Sequence, residues 1–293
     1  LLANAEAALF RAKAEGRGSV RFFEAEMDKE LRTKRALQHD LRQALGNDEL
    51  ELYYQPQADI DGTITGFEAL VRWHHPRQGM VPPSTFIPLA EESGLIIPLG
   101  EWILRTACRE AASWPQPLRI AINLSPVQFQ HGDLANVVHS ILLETGLSPS
   151  RLELEITEGV LIGDFSRAVS MLRRLKNLGV RIAMDDFGTG YSSLSYLQSF
   201  PFDKIKIDQS FIANLNRGQQ SAAIIRAVIA LGRGLDLPVV AEGVETEEQL
   251  KFLASESCNE IQGYILGKPM PIEEYAEVVG RVPAAKKAIA AAG

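Results

Sequence analysis

The sequence predicts an α/β fold, a parallel sheet closed as a barrel, on two observations. Short runs rich in Val, Ile and Leu recur along the chain, separated by stretches with helical periodicity. Such runs read as strands buried on both faces, and their alternation with helices implies right-handed βαβ units with helices covering the sheet. The second observation is how the runs end. Gly66-Phe67-Glu68, Ala121-Ile122-Asn123, Leu154-Glu155, Ala183-Met184-Asp185-Asp186, Ile205-Lys206-Ile207-Asp208 and Val239-Val240-Ala241-Glu242 each stop at a carboxylate, carboxamide or ammonium group. A weaker seventh is Glu260-Ile261-Gln262. Polar groups at one end of successive parallel strands gather on one face, the face that carries the active site of a barrel. Carboxylates so crowded repel each other and drive some pKa values upward unless a cation sits among them. The pattern therefore asks for divalent metal, and for two ions.

Taken in order, residues 1–24 read as a helix from Leu1 to Ala14, a turn at Glu15-Gly16-Arg17-Gly18-Ser19 and a short strand at Val20-Arg21-Phe22-Phe23, too little to fold alone. Residues 25–45 form a charged helix with Met27, Leu31, Leu37, Leu41 and Leu45 as a partial apolar stripe and Gly46-Asn47 as its C-cap. It reads equally as a surface helix packed on the next domain or as a signalling stalk. From Glu49 onward the named strands alternate with helical patterns at Phe86–Leu95, Glu101–Trp114, Leu134–Thr145, Asp164–Leu178, Ser221–Gly232 and Glu247–Glu256. Pro149 and Pro238 stand just ahead of strands, and Gly179 stands where a C-cap glycine belongs. After Pro271 a last helix runs into an Ala/Lys tail.

Composition narrows the function. With 293 residues, 46% hydrophobic and 23% charged, the chain is long and apolar enough for one barrel domain and is not of disordered type. A formal charge of −7 argues against a DNA-binding role, which needs a basic face. A phosphate-bearing substrate stays open, because bound metal inverts the local sign. Cys108 and Cys258 form no CxxC pair, which disfavours a disulfide framework and a zinc site and suits the cytoplasm. No run approaches the ~20 apolar residues of a membrane span. The opening Leu1-Leu2-Ala3-Asn4 has mid-helix character, so a longer parent is expected, one that could carry a membrane anchor upstream.

The sharpest local feature is Asp185-Asp186-Phe187-Gly188-Thr189-Gly190: two carboxylates at a strand end, then a glycine loop able to move over a ligand. Glu155 should point into the site, whereas Glu158 falls a turn later, where it caps or anchors a neighbouring loop. Asn123 offers an amide oxygen suited to a hard cation. Alternation puts Lys204, Lys206 and Asp208 on one strand face. Lys206 is placed to position a water or stabilise phosphate charge, or to pair structurally with Asp208. Glu242 shares the strand-end placement, and Glu245 reads as structural. Arg72, four residues past Glu68, suits a phosphate contact through its planar fork. His74 and His75 read as loop residues facing opposite ways, and Cys108 as core.

Together these residues resemble the EAL domain family of bacterial cyclic di-GMP phosphodiesterases. The matching blocks are Glu68-Ala69-Leu70 within FEALVRWHHP, INLSP at 122–126, LEITE at 154–158, DDFGTGYSSL at 185–194, KIKID at 204–208, AEGVET at 241–246 and QGYILGKP at 262–269. The resemblance implies a TIM-like (β/α)8 barrel over residues 46–275 in which one strand runs antiparallel, with residues 276–293 a C-terminal helix and tail. It implies two Mg2+ or Mn2+ ions, one held by Glu68, Asn123, Glu155 and Asp185, the other by Asp185, Asp186 and Glu242. Lys206 would orient a bridging water, with Glu68, Lys206 and Glu242 as the catalytic set. Gln55, Arg72, Asp208 and Gln262 are expected toward the substrate, Gln262 also supporting the site, and Glu158 is expected to hold the DDFGTG loop. Residues 1–24 resemble the tail of a GGDEF domain, so a complete GGDEF domain is expected upstream, with room for a sensor domain, and a homodimer is expected. The rival is an EAL module that binds cyclic di-GMP without hydrolysing it; such modules usually lack a metal ligand or the lysine, and here none is missing.

Overall fold

The structure, a computed structural model, describes residues 22–281 except 131, 163, 189–196, 198, 199 and 216–218, together with residues 5, 8, 9, 12 and 20. Most of the expected GGDEF remnant, the outer part of the glycine loop and the Ala/Lys tail thus lie outside the described residues. The chain divides into two compact units, residues 1–51 with 72–96, and residues 52–71 with 97–293.

The alternating pattern becomes a closed barrel, most of it in the second unit; residues 50–51, 72–75 and 79–81 of the strands fall in the first. The strands are β1 (Leu50–Asp59), β2 (Ile64–His75), β4 (Arg119–Leu124), β5 (Leu152–Thr157), β6 (Arg181–Phe187), β7 (Lys204–Ile207), β8 (Val239–Ala241) and β9 (Glu260–Gln262), while β3 (Gly79–Val81) is a short addition. Around the barrel the order is β1-β9-β8-β7-β6-β5-β4-β2, closed by pairing of β1 with β2. From β2 through β9 every barrel neighbour is parallel, and β1 pairs antiparallel to β9. The fold is therefore the TIM-like (β/α)8 barrel with one reversed strand. Neither β1 nor β3 stood out as an apolar run. β1 interrupts its apolar residues with Gln55, Pro56 and Gln57, and β3 is three residues long.

Each strand faces two ways, and the sequence obeys both. Ile120, Ile122, Leu154, Ile156, Ile182, Met184, Ile205 and Ile207 are almost wholly buried. The intervening positions carry Arg119, Glu153, Glu155, Arg181, Asp185, Lys204 and Lys206, of which Glu153, Glu155, Lys204 and Lys206 are equally buried. Side chains alternate along a strand, so these polar residues form two stacked tiers. The lower tier is a closed ionic network. Lys204 Nζ lies 2.7 Å from Glu260 Oε2 and 3.0 Å from Glu153 Oε1. Arg119 reaches Glu260 at 3.3 Å, and Arg181 reaches Glu153 at 3.2 Å. Burial pushes the Glu153 carboxyl up, but Lys204, Arg119 and Arg181 hold it below its ordinary range.

Five helices of the second unit match predicted patterns with shifts of a few residues at their ends, and three short ones, residues 126–130, 159–162 and 209–213, were not predicted. They are α3 (Ile96–Ala112), α4 (Pro126–Gln130), α5 (Leu134–Thr145), α6 (Gly159–Ile162), α7 (Phe165–Asn177), α8 (Gln209–Ala213), α9 (Gln219–Gly234) and α10 (Glu247–Ser255). Asp133 and Asp164 cap α5 and α7 by accepting backbone N–H groups, and Thr246 with Gln249 forms a capping box on α10. Ala168, Val169, Met171, Leu172 and Leu175 form the buried stripe of α7. At Gly232 a Cβ would lie 2.3 Å from Val239, so only glycine lets α9 approach β8 this closely. After Pro271 the expected helix is instead a 3-10 turn, Ile272–Tyr275.

In the first unit, α1 (Ala25–Ala44) buries Leu37, Leu41 and Ala44, and α2 (Pro83–Ser93) buries Phe86, Leu89 and Ala90. Gly46 does not cap α1 in the left-handed conformation; Leu45 ends the helix and Asp48 takes the positive φ. Val20, Phe22 and Phe23 form no strand. His74 and His75 sit on β2 rather than in a loop, facing opposite ways as alternation requires. His74 pairs with Glu51 at 2.9 Å, and buried His75 donates from Nε2 to Asp40 at 3.0 Å, because its Nδ1 accepts the Arg77 and Gln78 N–H groups.

Two stability measurements follow from these contacts. Asp40→Ala strands the buried His75 N–H and should lower the unfolding free energy by about 1–3 kcal/mol in urea. Lys204→Met leaves Glu153 and Glu260 buried without their shared cation, and a loss of about 3–5 kcal/mol is expected. A loss under about 1 kcal/mol for Lys204→Met would mean the lower tier is not an energetic unit.

Candidate active site

The upper tier lies at the C-terminal ends of the parallel strands. Lys206, without solvent exposure, has its Nζ 2.6 Å from Glu242 Oε1, 2.7 Å from Glu155 Oε2 and 3.3 Å from Asp185 Oδ1. The structural pair with Asp208 is thus not the one formed. Asp208 instead caps α8 by accepting from Ser210, and lies beside Asp186. Glu68 completes the cluster: Asn123 donates to its Oε1 and Gln262 to its Oε2, each at 2.5 Å.

Asp185 and Asp186 join one cluster because β6 breaks its regular pairing there. The register with β7 shifts between Met184 and Phe187, and Asp186 has φ +52°. In an unbroken strand the second carboxylate would point to the opposite face. The bulge and the left-handed residue re-aim it, a strain typical of functional sites. Carboxylate oxygens of Asp185, Asp186 and Glu242 lie within 4.8 Å of one another. Glu158 accepts the Gly188 N–H at 3.4 Å, at the start of the glycine loop.

Five carboxylates around one ammonium leave a surplus of negative charge. Burial, with the neighbouring carboxylates, pushes Glu242 up to about 8 and Asp186 up to about 6, and holds Glu155 well above its ordinary value despite Lys206. Burial disfavours the Lys206 ammonium, yet Asp185, Glu155, Glu242 and Glu68 raise its pKa well above the ordinary lysine value. Glu155 Oε2 and Lys206 Nζ are buried yet make no aligned hydrogen bond, so their attraction is ionic. An all-oxygen donor set with excess charge and incompletely satisfied buried atoms fits a hard divalent cation.

Above the cluster opens a cleft of about 290 Å³ bordered by Gln55, Glu68, Asn123, Asp185, Glu242 and Tyr264. Glu245, read as structural, also lines it. Arg72 is half-buried on β2 and belongs to the first unit. Sequence reasoning missed Gln57, which is 1% exposed and donates to Gln262 Oε1 at 2.9 Å and Glu155 Oε1 at 3.3 Å. The available signal was its i, i+2 relation to Gln55, hidden because β1 was not recognised as a strand. Cys108 and Cys258 are buried, and burial pushes both thiols up to about 12, which sets them apart from nucleophilic chemistry.

Fold and site together define a (β/α)8 barrel with an acidic, metal-competent centre at its strand ends. The EAL domain family model matches residues 38–269, and the chain belongs to that family. It is 61% identical over 274 residues to an uncharacterized signaling protein of Caulobacter vibrioides, covering 93% of this chain and 34% of that protein. It is 46% identical over 279 residues to the bifunctional diguanylate cyclase/cyclic di-GMP phosphodiesterase MucR of Pseudomonas aeruginosa, covering 94% of this chain and 41% of MucR. The chain thus spans between a third and about two fifths of these relatives. Among solved structures, the PaMucR phosphodiesterase in complex with c-di-GMP matches with a TM-score of 0.79 and 47% identity, over 82% of this chain and 99% of that one. No described helix is long and apolar enough to cross a membrane.

The raised carboxyl pKa values set a pH signature for the metal-free protein. A folded pKa above the unfolded one means the native state binds more protons, so stability should rise as pH falls from about 8 toward 5. Urea midpoints in chelator at pH 5.5, 7 and 8.5 should decrease in that order, with a smaller spread in Glu242→Gln. A flat profile would contradict the charge surplus.

Proposed function

We propose that this domain hydrolyses cyclic di-GMP to linear pGpG in bacterial second-messenger signalling, using two Mg2+ or Mn2+ ions. The observation that supports it most is the intact cluster of Glu68, Glu155, Asp185, Asp186 and Glu242 around Lys206, under an open cleft. The named activity of MucR, and that of the 39% identical cyclic di-GMP phosphodiesterase PdeR of Escherichia coli, agree with it. Glu68, Asn123, Glu155 and Asp185 would hold one ion, and Asp185, Asp186 and Glu242 the other. Bound there, the ions would lower the pKa of a shared water and neutralise charge on the phosphodiester.

Lys206 holds the attacking water at its Nζ and steadies the carboxylates beside it. The water oxygen bonds to phosphorus, one P–O3′ bond breaks, and the displaced oxygen ends protonated as the ribose hydroxyl. Gln262 fixes Glu68 from the side of the cleft. Gln55, which accepts from Gln262 Nε2 at 3.1 Å, and Asp208 and Arg72 are assigned to the substrate. Glu158 tethers Gly188 and so steadies the loop that follows Asp186.

Chromatographic assay of cyclic di-GMP turnover tests the proposal. Chelation should abolish turnover, Mg2+ or Mn2+ should restore it, and Ca2+ should fail because its looser coordination spoils the geometry. Glu68→Ala should lose activity, and Lys206→Ala should fall by ~10²–10³ while still binding cyclic di-GMP with Ca2+ present. Full turnover in excess chelator would refute the metal assignment. Binding without turnover in the unaltered domain under every metal would make it a receptor instead.

A further inference from the structure

We infer that Gln57 is a positioning residue for the metal centre, one amide that orders both Glu155 and Gln262. The inference rests on reading the acidic cluster as a cation site. β1 runs against its neighbours and brings Gln57 directly opposite Gln262 in the β1–β9 register. Both protons of the Gln57 amide are used there, one on Gln262 Oε1 at 2.9 Å and one on Glu155 Oε1 at 3.3 Å.

Two consequences follow from a single side chain. Because Gln262 Oε1 accepts from Gln57, Gln262 must turn its Nε2 the other way, toward Glu68 Oε2 and Gln55 Oε1. Gln57 therefore reinforces, from the opposite end, the orientation in which Gln262 turns its amide N–H groups to Glu68 and Gln55. Tying Glu155 Oε1 also leaves Glu155 Oε2 turned into the cluster, 2.7 Å from the Lys206 ammonium. Without Gln57, the Gln262 carbonyl oxygen loses its buried donor and Glu155 loses one of the two contacts, with Lys206, that hold its carboxylate. A glutamine that merely fills space would have neither effect.

Removing a hydrogen-bond partner of a metal ligand typically costs ~10–100-fold in metal affinity. The test uses the domain stripped with chelator and titrated with Mn2+ alone, by calorimetry or electron paramagnetic resonance. Gln57→Met keeps the length and removes the donors, and it should bind Mn2+ at least ~10-fold more weakly. The double variant Gln57→Met with Gln262→Met should lose less than the two single losses combined, since both act through one chain of amides. Should Gln57→Met not fold, Gln57→Asn retains the amide but falls a carbon short, and the same weakening is expected. Mn2+ affinity unchanged in a folded variant, beside tight binding by the unaltered domain, overturns the role of Gln57 alone. Absence of Mn2+ binding in the unaltered domain overturns the cation reading, and this inference with it.

Discussion

The Lys206 ammonium has no access to water, and everything at the head of the barrel is arranged around that fact. Removing a charge from water costs several kcal/mol, and the cost is offset only by close partners of opposite sign. Glu155, Asp185 and Glu242 supply them within 3.3 Å. The same carboxylates overshoot. With Glu68 and Asp186 they make five acidic groups against one base, and raised pKa values at Glu155, Asp186 and Glu242 record the mismatch. Two divalent cations would carry the missing positive charge.

The tier below has the opposite balance. Among the described residues Lys204, Arg119 and Arg181 pair with Glu153 and Glu260, and Glu153 stays below its ordinary pKa. One strand pair shows how little separates the two conditions. Glu153 and Glu155 are two residues apart on β5, as are Lys204 and Lys206 on β7, yet one set is closed on itself and the other is open to a ligand. The lower tier is a floor of mutual ion pairs with one base in excess. The upper tier is the reactive face, in keeping with the C-terminal ends of barrel strands.

Most of this was legible in the sequence, for a stated reason. Strand ends bearing Glu68, Asn123, Glu155, Asp185, Lys206 and Glu242 follow period-two alternation, which fixes their face once the sheet is parallel. What alternation alone misplaced was Asp186, whose approach to Asp185 depends on a bulge and a left-handed backbone. It also placed Asp208 beside Lys206, although a helix begins at Gln209 and Asp208 turns to cap it. The lower tier escaped notice because Lys204 was placed on the face of Lys206 without a partner, and Glu153 sits inside a run otherwise read as apolar. Gln57 escaped because a strand of reversed direction, interrupted by Pro56, does not look like its neighbours.

We propose that the barrel head receives two cations sharing Asp185, which balance its surplus negative charge. Anomalous diffraction from crystals grown with Mn2+ tests it most directly. Two peaks are expected, both contacting the Asp185 carboxylate, one flanked by Glu68 and Glu155 and the other by Asp186 and Glu242. A saturated crystal with no peak between these side chains, and Lys206 still holding all three carboxylates, would contradict the account.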